Sequence, residues 1–395
     1  MSKYRVRISD LLENQITGEW GNAPSSNNAI PVIRTTNFCD DGQINFGDIA
    51  YRDIPLDKAN KKYIKPGDII IEKSGGTDKK PVGRVVYCEN CFEGKKVLCN
   101  NFTQILRVNS SVSNPRYVFY LMYFRYNIGI PEHFQNKTTG IRNLQIKAYL
   151  DDYVSITDYD EQSRVVSILD HLLALINTRK QQLSKFDELA KSRFIEMFGD
   201  PILNPMGWAI SHYGDEFEIM SGGTPKTDIP EYWVNGKISW IGSNLCQNSV
   251  LIENDGKFIT EKGLNNSSAK IFNKGYILIA LVGATIGKVA HLKFSTSTNQ
   301  NIAGINVPQN ENYIPEFVFY NTQFLYPKFM DIGNSKFKMA NLSFIRSLQI
   351  PIVPIKAQKK FSNFVEQLDK SKFRIKKSLE KLEMTYKALL QEYFG

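Results

Sequence analysis

Residues 162–199 read QSRVVSILDHLLALINTRKQQLSKFDELAKSRFIEMFG, and residues 358–395 read QKKFSNFVEQLDKSKFRIKKSLEKLEMTYKALLQEYFG. They align without a gap, 162 on 358 through 199 on 395. Gln162, Leu172, Lys180, Leu183, Lys185, Lys191, Glu196, Phe198 and Gly199 recur as Gln358, Leu368, Lys376, Leu379, Lys381, Lys387, Glu392, Phe394 and Gly395. Neither copy holds a Pro or Gly before its last residue, so nothing interrupts a helix. Apolar residues fall three and four apart: Leu169, Leu172, Ile176, Leu183, Phe186, Ala190 and Met197 in the first, Val365, Leu368, Ile375, Leu379, Leu382, Tyr386, Leu389 and Tyr393 in the second. That is a heptad-like seam. Each helix is expected to run roughly 50 Å at ~1.5 Å per residue. A long helix with one apolar stripe needs a partner, and the other copy is nearest at hand. Antiparallel pairing would close a head-to-tail duplication into a pseudo-two-fold object. The alternative is two surface helices, each packed on its own domain.

The repeat extends upstream. Asn114-Pro115-Arg116-Tyr117-Val118-Phe119-Tyr120 resembles Ile314-Pro315-Glu316-Phe317-Val318-Phe319-Tyr320, and Lys65-Pro66-Gly67-Asp68-Ile69 resembles Asn273-Lys274-Gly275-Tyr276-Ile277. The offset drifts between matches, which places short insertions in loops. The order is therefore domain, long helix, domain, long helix, with expected spans 1–158, 159–199, 200–354 and 355–395. Runs 69–72, 82–87, 277–282 and 289–293 are rich in β-branched residues and predict strands. Runs 117–126 and 317–324, each preceded by a Pro, predict short helices. The fold class is mixed α/β: two small α/β domains separated by an antiparallel coiled coil of two long helices, an internal repeat.

The chain of 395 residues is 42% hydrophobic and 12% aromatic, enough for packed cores, and carries a formal net charge of +9. A basic excess favours a polyanionic partner, nucleic acid first among them. The start of the chain has no apolar signal-peptide segment, and no run reaches the length of a membrane span. Five scattered cysteines, Cys39, Cys88, Cys91, Cys99 and Cys246, fit reduced thiols and a cytoplasmic setting.

The sequence carries no complete catalytic pattern. Asn204-Pro205-Met206-Gly207 fails as a methyltransferase amine-binding corner. Asp68 with Glu72-Lys73-Ser74 approaches a metal-nuclease pattern, but its Lys comes one position early. Residues 283–289 have one residue too few for a phosphate-binding loop. Cys88, Cys91 and Cys99 have partial zinc spacing without an evident fourth ligand. What remains is binding chemistry. The loop 73–84 offers Lys73, Ser74, Gly75, Gly76, Thr77, Lys79, Lys80 and Arg84. Lys and backbone N–H groups can hold phosphates there, and Arg can make a bidentate base contact. Thr138, Thr139, Arg142 and Asn143, and in the second half Lys336, Lys338 and Asn341, stand before the long helices, each set ending in Asn-Leu after a basic residue. The plain alternative for each is a solvated turn.

The whole arrangement resembles the specificity subunit of type I restriction-modification systems. Ser221-Gly222-Gly223-Thr224-Pro225-Lys226-Thr227, Pro230-Glu231-Tyr232-Trp233, Ile238-Ser239-Trp240-Ile241, Gly283-Ala284-Thr285-Ile286-Gly287-Lys288 and Thr298-Asn299-Gln300-Asn301 are similar to that family's successive segments. Ile350-Pro351-Ile352-Val353-Pro354 is similar to its lead-in to the helix. The first half lacks the Gly-Gly-Thr-Pro run, and residues 72–84 are taken to stand in its place. The resemblance implies a non-catalytic reader of a bipartite double-stranded DNA site, with two target-recognition domains on a helical spacer. It adds Gly222, Gly223, Thr224, Lys226, Tyr232, Trp233, Ser243, Asn244, Thr285 and Lys288 as candidate DNA contacts. Two modification subunits would bring S-adenosylmethionine, and a restriction subunit, where one exists, would bring ATP and Mg²⁺; no cofactor or metal is expected on this chain itself. Lys180, Lys191, Lys376 and Lys387 are the expected partner-facing residues. The competing readings are a self-sufficient methyltransferase or nuclease of related architecture, and a coiled-coil scaffold without a DNA role.

Overall fold

A computed structural model describes residues 3–25, 29–77, 80–89, 94–138, 141–308, 312–332 and 339–395. The long helices run Tyr159–Phe198 and Ile355–Phe394, 40 residues each, or about 60 Å at 1.5 Å per residue. The chain forms two compact units, residues 1–179 with 378–395, and residues 180–377. Each unit therefore takes one end of each long helix, a division that cuts across the sequence order of domain, helix, domain, helix.

Within the first unit, Val165, Leu169 and Ile176 from the start of the first long helix pack with Tyr386, Leu390 and Tyr393 from the end of the second. Within the second unit, Ala190, Phe194 and Phe198 from the end of the first pack with Phe361, Val365 and Leu368 from the start of the second. Start meets end in both, so the two segments run antiparallel in each unit. The apolar seam explains the pairing. The ridge is buried by the other copy and by the aromatic helix Pro115–Asn127 or Pro315–Phe324. The Phe before each terminal Gly is part of this: the rings of Phe394 and Tyr117 lie 5.0 Å apart, as do those of Phe198 and Phe317, within the range of favourable aromatic packing.

The two units share one topology. In the first, a four-stranded sheet has the order Leu12–Thr17, Thr103–Val108, Ile69–Glu72, Val85–Tyr87. In the second, Glu218–Ser221, Ile302–Asn306, Ile277–Ala280 and Val289–Leu292 follow the same order, with Ser249–Leu251 added at the edge. A second sheet in each contains a parallel pair, Val32 opposite Leu98 in one and Trp240 opposite Ser297 in the other. A short pair closes each unit: Tyr4–Arg7 against Tyr153–Ile156, and Ile210–His212 against Gln349–Pro351. The mixed α/β class and the packing of the two long helices are thus what the chain adopts. Among the described residues no helix is long and apolar enough to cross a membrane.

One residue type ties each long helix to its domain. Gln162 is fully buried. Its Oε1 accepts from Ser113 Oγ at 2.8 Å and the Asn114 amide at 2.9 Å, and its Nε2 donates to the Thr157 carbonyl at 2.8 Å. Gln358, also fully buried, repeats this. It accepts from the Ile314 amide at 3.0 Å and donates to the carbonyls of Asn312 at 2.8 Å and Val353 at 2.9 Å. Each clasp joins the loop before the Pro-opened helix to the first turns of the long helix. Gln358→Leu would take the side-chain partner from three backbone groups, of which the Val353 carbonyl is buried, so a loss on the order of 1–2 kcal/mol is expected. Urea unfolding of the variant beside the parent measures it.

His291, on the second unit's sheet, is almost fully buried, and burial, with Lys293 nearby, holds it down at about 4. Between a pH of about 6.5 and 4 the unfolded chain therefore takes up a proton that the folded chain refuses. Stability is expected to fall as pH drops through that window and to gain no further slope from His291 below it. His291→Phe should flatten that slope in thermal melts taken from pH 7 to pH 4.

Candidate nucleic-acid interface

In the first unit, the two basic segments singled out from the sequence become one small sheet. Ser74–Gly76 pairs with Ile141–Leu144, which forms a hairpin with Gln135–Thr138. A register shift falls between Arg142 and Asn143. Asn143 Oδ1 accepts a hydrogen bond from Ser74 Oγ, and Arg142 donates to Gln135 Oε1 at 3.5 Å. The Leu144 amide donates to the Lys73 carbonyl at 2.8 Å. Lys73 is half-buried, and that burial holds its ammonium below the ordinary lysine range. Gly75 is exposed at φ +106° with open space where a side chain would stand. Thr77 and Lys80 close a turn through two hydrogen bonds, Thr77 N–H to the Lys80 carbonyl at 2.8 Å and Lys80 N–H to Thr77 Oγ1 at 3.1 Å. Thr35, Thr36, Phe38, Gly76, Lys80 and Arg84 line a cleft of about 360 Å³ over this sheet. Lys79 and Thr139, and in the second unit Lys336 and Lys338, lie outside the described residues; of Thr138 only the backbone is described.

The second unit builds the same turn differently. After the central strand, the Leu281 carbonyl accepts from the Ala340 amide at 2.9 Å, and Val282 bridges to Met339. This matches the Lys73–Leu144 bond, so Lys73 corresponds to Leu281 and Leu144 to Ala340. The two Asn-Leu pairs that look equivalent in sequence are therefore two residues out of register. Asn341 instead caps the short helix Leu342–Ser347, accepting from the Phe344 amide at 2.8 Å. The strand returns through a left-handed glycine in both units. The Gly83 amide donates to the Glu72 carbonyl at 3.0 Å, and the Gly287 amide to the Ala280 carbonyl at 2.8 Å. A Cβ on Gly83 would stand 2.6 Å from Pro131, and one on Gly287 2.6 Å from Phe329, so no other residue fits either turn without rearrangement. A cation follows each: Arg84 and Lys288. Lys288 Nζ donates to Gln247 Oε1 at 2.9 Å, and Gln247 Nε2 to the Asn244 carbonyl at 3.0 Å. These bonds gather Lys288 and the turn Ser243–Leu245 at one edge. Thr285 stands in the same turn, its carbonyl accepting the Lys288 amide at 2.9 Å.

Gly222 and Gly223 act by close approach. A Cβ on Gly222 would lie 2.5 Å from the Asn299 carbonyl, and one on Gly223 2.3 Å from Ser268. The first unit has the same approach at Gly18, where a Cβ would meet the Asn100 carbonyl at 2.0 Å. The Glu19 amide donates to the Cys99 carbonyl at 2.8 Å, as the Gly223 amide does to Thr298 at 2.8 Å. The counterpart of the Gly-Gly-Thr-Pro run is thus Gly18-Glu19-Trp20-Gly21, and residues 72–84 correspond to 280–288. Only one glycine of the motif is shared, which is too little for sequence comparison to find.

Beside Gly223 the rings of Trp233 and Trp240 meet edge to face at 5.2 Å, their indoles donating to the carbonyls of Lys226 and Gly223. With Thr224, Lys257 and Phe258 they line a cleft of about 590 Å³. Lys226 is exposed, and Tyr232 is held through its carbonyl by the Thr260 amide at 2.9 Å. The matching flank of the first unit carries a cleft of about 840 Å³ with Tyr51, Asp53, Tyr63, Lys95 and Lys96. These residues belong to no sequence motif, and the paired lysines 95 and 96 are their trace in the amino-acid order. Cys88 and Cys99 are buried in an apolar cluster with Ile70, Val86 and Ile105, and Cys91 lies outside the described residues. Lys180, Lys191, Lys376 and Lys387 are exposed on the long helices.

Comparison with known proteins follows this duplication. The family model of the type I restriction modification DNA specificity domain matches residues 3–185 and again 205–384. The type I restriction enzyme MjaIX specificity subunit of Methanocaldococcus jannaschii is 31% identical over 195 residues, 48% of this chain and 44% of that protein. The EcoR124I/EcoR124II specificity subunit of Escherichia coli is 29% identical over 169 residues, 40% of this chain and 39% of that protein. In these matches the chain spans less than half the length of its relatives. The crystal structure of a type I restriction-modification S subunit from M. genitalium superposes with a TM-score of 0.58 at 16% identity, covering 100% of this chain and 96% of that one, a likeness of fold.

Proposed function

Because the chain belongs to the type I restriction modification DNA specificity family, we propose that it reads two half-sites of double-stranded DNA, one with each unit, and directs partner subunits to them. One observation carries the reading. Both units present the same turn after the central strand, joined to the segment before a short helix, yet fill it with different residues: Lys73, Ser74, Gly75, Arg142 and Asn143 in one, Thr285, Lys288 and the segment ending at Asn341 in the other. A shared scaffold with unlike side chains is what two different half-sites call for. Loops on a rigid sheet can place Lys and backbone N–H groups on phosphates and Arg, Asn and Lys on base edges. Gly222, Gly223, Thr224, Lys226, Tyr232 and Trp233 would form the second contact edge of the second unit, and Ser243 and Asn244 would stand near Lys288.

On this reading the chain performs no chemistry itself. Two modification subunits would supply S-adenosylmethionine and methylate adenine, and a restriction subunit would add ATP- and Mg²⁺-dependent translocation and cleavage. The length of the antiparallel helices would set the unspecified gap between half-sites. A genome-wide map of methylated adenines with and without the chain is expected to show a bipartite motif only in its presence. Removing one heptad from each long helix should shorten the gap and leave both half-sites intact. The pure chain with DNA, Mg²⁺ and S-adenosylmethionine should turn nothing over; turnover without a partner would favour a self-sufficient enzyme.

Lys180, Lys191, Lys376 and Lys387, exposed and repeated, are the proposed partner-facing residues. Replacing all four by Glu is expected to reduce co-purification with the modification subunit at least tenfold in a pull-down, while thermal melting of the chain stays within a few degrees of the parent. Full retention of the partner would remove this surface from consideration.

A further inference from the structure

Arg84 does not behave as a free cation. Its Nε donates to Glu72 Oε2 at 2.8 Å, and its Nη2 to Glu72 Oε1 at 3.1 Å and to the Thr35 carbonyl at 3.2 Å. The carboxylate side chain is 3% exposed and the guanidinium side chain 15%. Phe38 flanks the guanidinium, with Cζ 5.7 Å from the ring centroid. These bonds use three of the five N–H donors of arginine. The two on Nη1 have no acceptor among the described residues, and Arg84 lines the cleft over Ser74–Gly76.

From this geometry we infer that Arg84, held in place by Glu72, is a base-reading residue of the first unit, and that its acceptor is a nucleobase edge with two adjacent acceptors, as guanine presents in the major groove, met by one Nη1 hydrogen together with the outer Nη2 hydrogen that the Thr35 carbonyl holds at 3.2 Å. Charge decides between a base and a phosphate. Glu72 neutralises Arg84, and Asp40 stands 3.4 Å from Lys80, the other cation lining the cleft. The cleft therefore offers one fixed guanidinium whose charge is balanced by a buried carboxylate. A neutral edge suits it; a phosphate would be better served by unpaired cations. Rigidity argues the same way. A guanidinium fixed by two bonds to a buried carboxylate loses little freedom when it meets a planar partner.

The second unit lacks the device. Ala280 stands where Glu72 does, and Lys288, a point charge on a flexible stem, stands where Arg84 does. Glu72 is a positioning residue here, and the fixed demand for a two-acceptor base belongs to the first unit alone.

This inference rests on the DNA-reading role proposed above, and the test separates the two. The full chain, assembled with its modification subunits, is bound to duplexes in which each guanine of the methylated motif is replaced in turn by 7-deazaguanine, which lacks the N7 acceptor. One guanine in one half-site is expected to lose about tenfold in affinity. Arg84→Lys keeps the charge and should erase that difference, relaxing the methylated motif at that single position while the other half-site, the gap and the salt dependence stay as in the parent. Glu72→Gln should weaken discrimination at the same position. Because the 7-deazaguanine scan uses the parent chain, its negative outcome overturns the inference even if the variants fold poorly, and Glu72→Gln tests the assignment to Arg84 without altering the guanidinium. A scan with no sensitive guanine overturns the inference. So does an Arg84→Lys chain that keeps the parent's motif and discrimination. Arg84→Gln that weakens all sequences alike and lowers the salt slope by about one would mark a phosphate contact and also overturn it. A parent complex without any bipartite motif would sink the underlying reading as well.

Discussion

Each long helix is attached to its domain by one buried glutamine, and much of the architecture depends on that attachment. A glutamine amide has both acceptor and donor capacity, so one side chain can satisfy an amide and a carbonyl that belong to different segments. Gln162 and Gln358 do this at the same place in both units, bonding the loop before the Pro-opened helix on one side and the end of the preceding strand segment on the other. These bonds help set the angle at which the long helix leaves the domain, together with its apolar packing on the Pro-opened aromatic helix.

The seam is shared, and this is why the compact units do not coincide with the two sequence repeats. Phe198 completes the aromatic cluster of the second unit with Phe194, Phe317 and Phe361. Phe394 joins Tyr117 and Phe124 in the first. Each domain thus buries the far end of the helix that began in the other half of the sequence. The first core is completed only by the last residues of the chain, and the second only by the end of the helix that precedes its domain, so the repeated Phe-Gly ending has a physical meaning. The Phe fills a core, and Gly199, at φ +77°, ends its helix in the left-handed conformation.

On this common frame the two turns after the central strands diverge in charge logic. The first unit pairs its cation with a buried carboxylate, Arg84 with Glu72. It repeats the arrangement on the same sheet with Arg107 and Asp68, 2.7 Å apart. The second has apolar residues in the same strand and leaves Lys288 to an amide. A domain with fixed guanidinium groups and one with a flexible ammonium differ in how narrowly they can select a partner, even where their backbones agree.

Much of this was legible in the amino-acid order. The gapless repetition of residues 162–199 and 358–395, the unbroken helical spacing and the Pro-opened aromatic helices each express a short-range rule, so the long helices, the duplication and the mixed α/β class could be read directly. The two basic loops of the first half were also visible as binding chemistry. The joining of those loops into one sheet was not, because it depends on backbone hydrogen bonds between segments some seventy residues apart, such as Ser74 with Asn143. Nor was the correspondence of Gly18 with Gly222 or of Leu144 with Ala340, since close backbone approach and ladder register leave almost no trace in side-chain identity. Sequence determined which residues could face a polyanion. Only the tertiary structure decided that Arg84 would be bound to Glu72, because a residue's partners are set by which strands lie side by side, and that is a property of the packed chain.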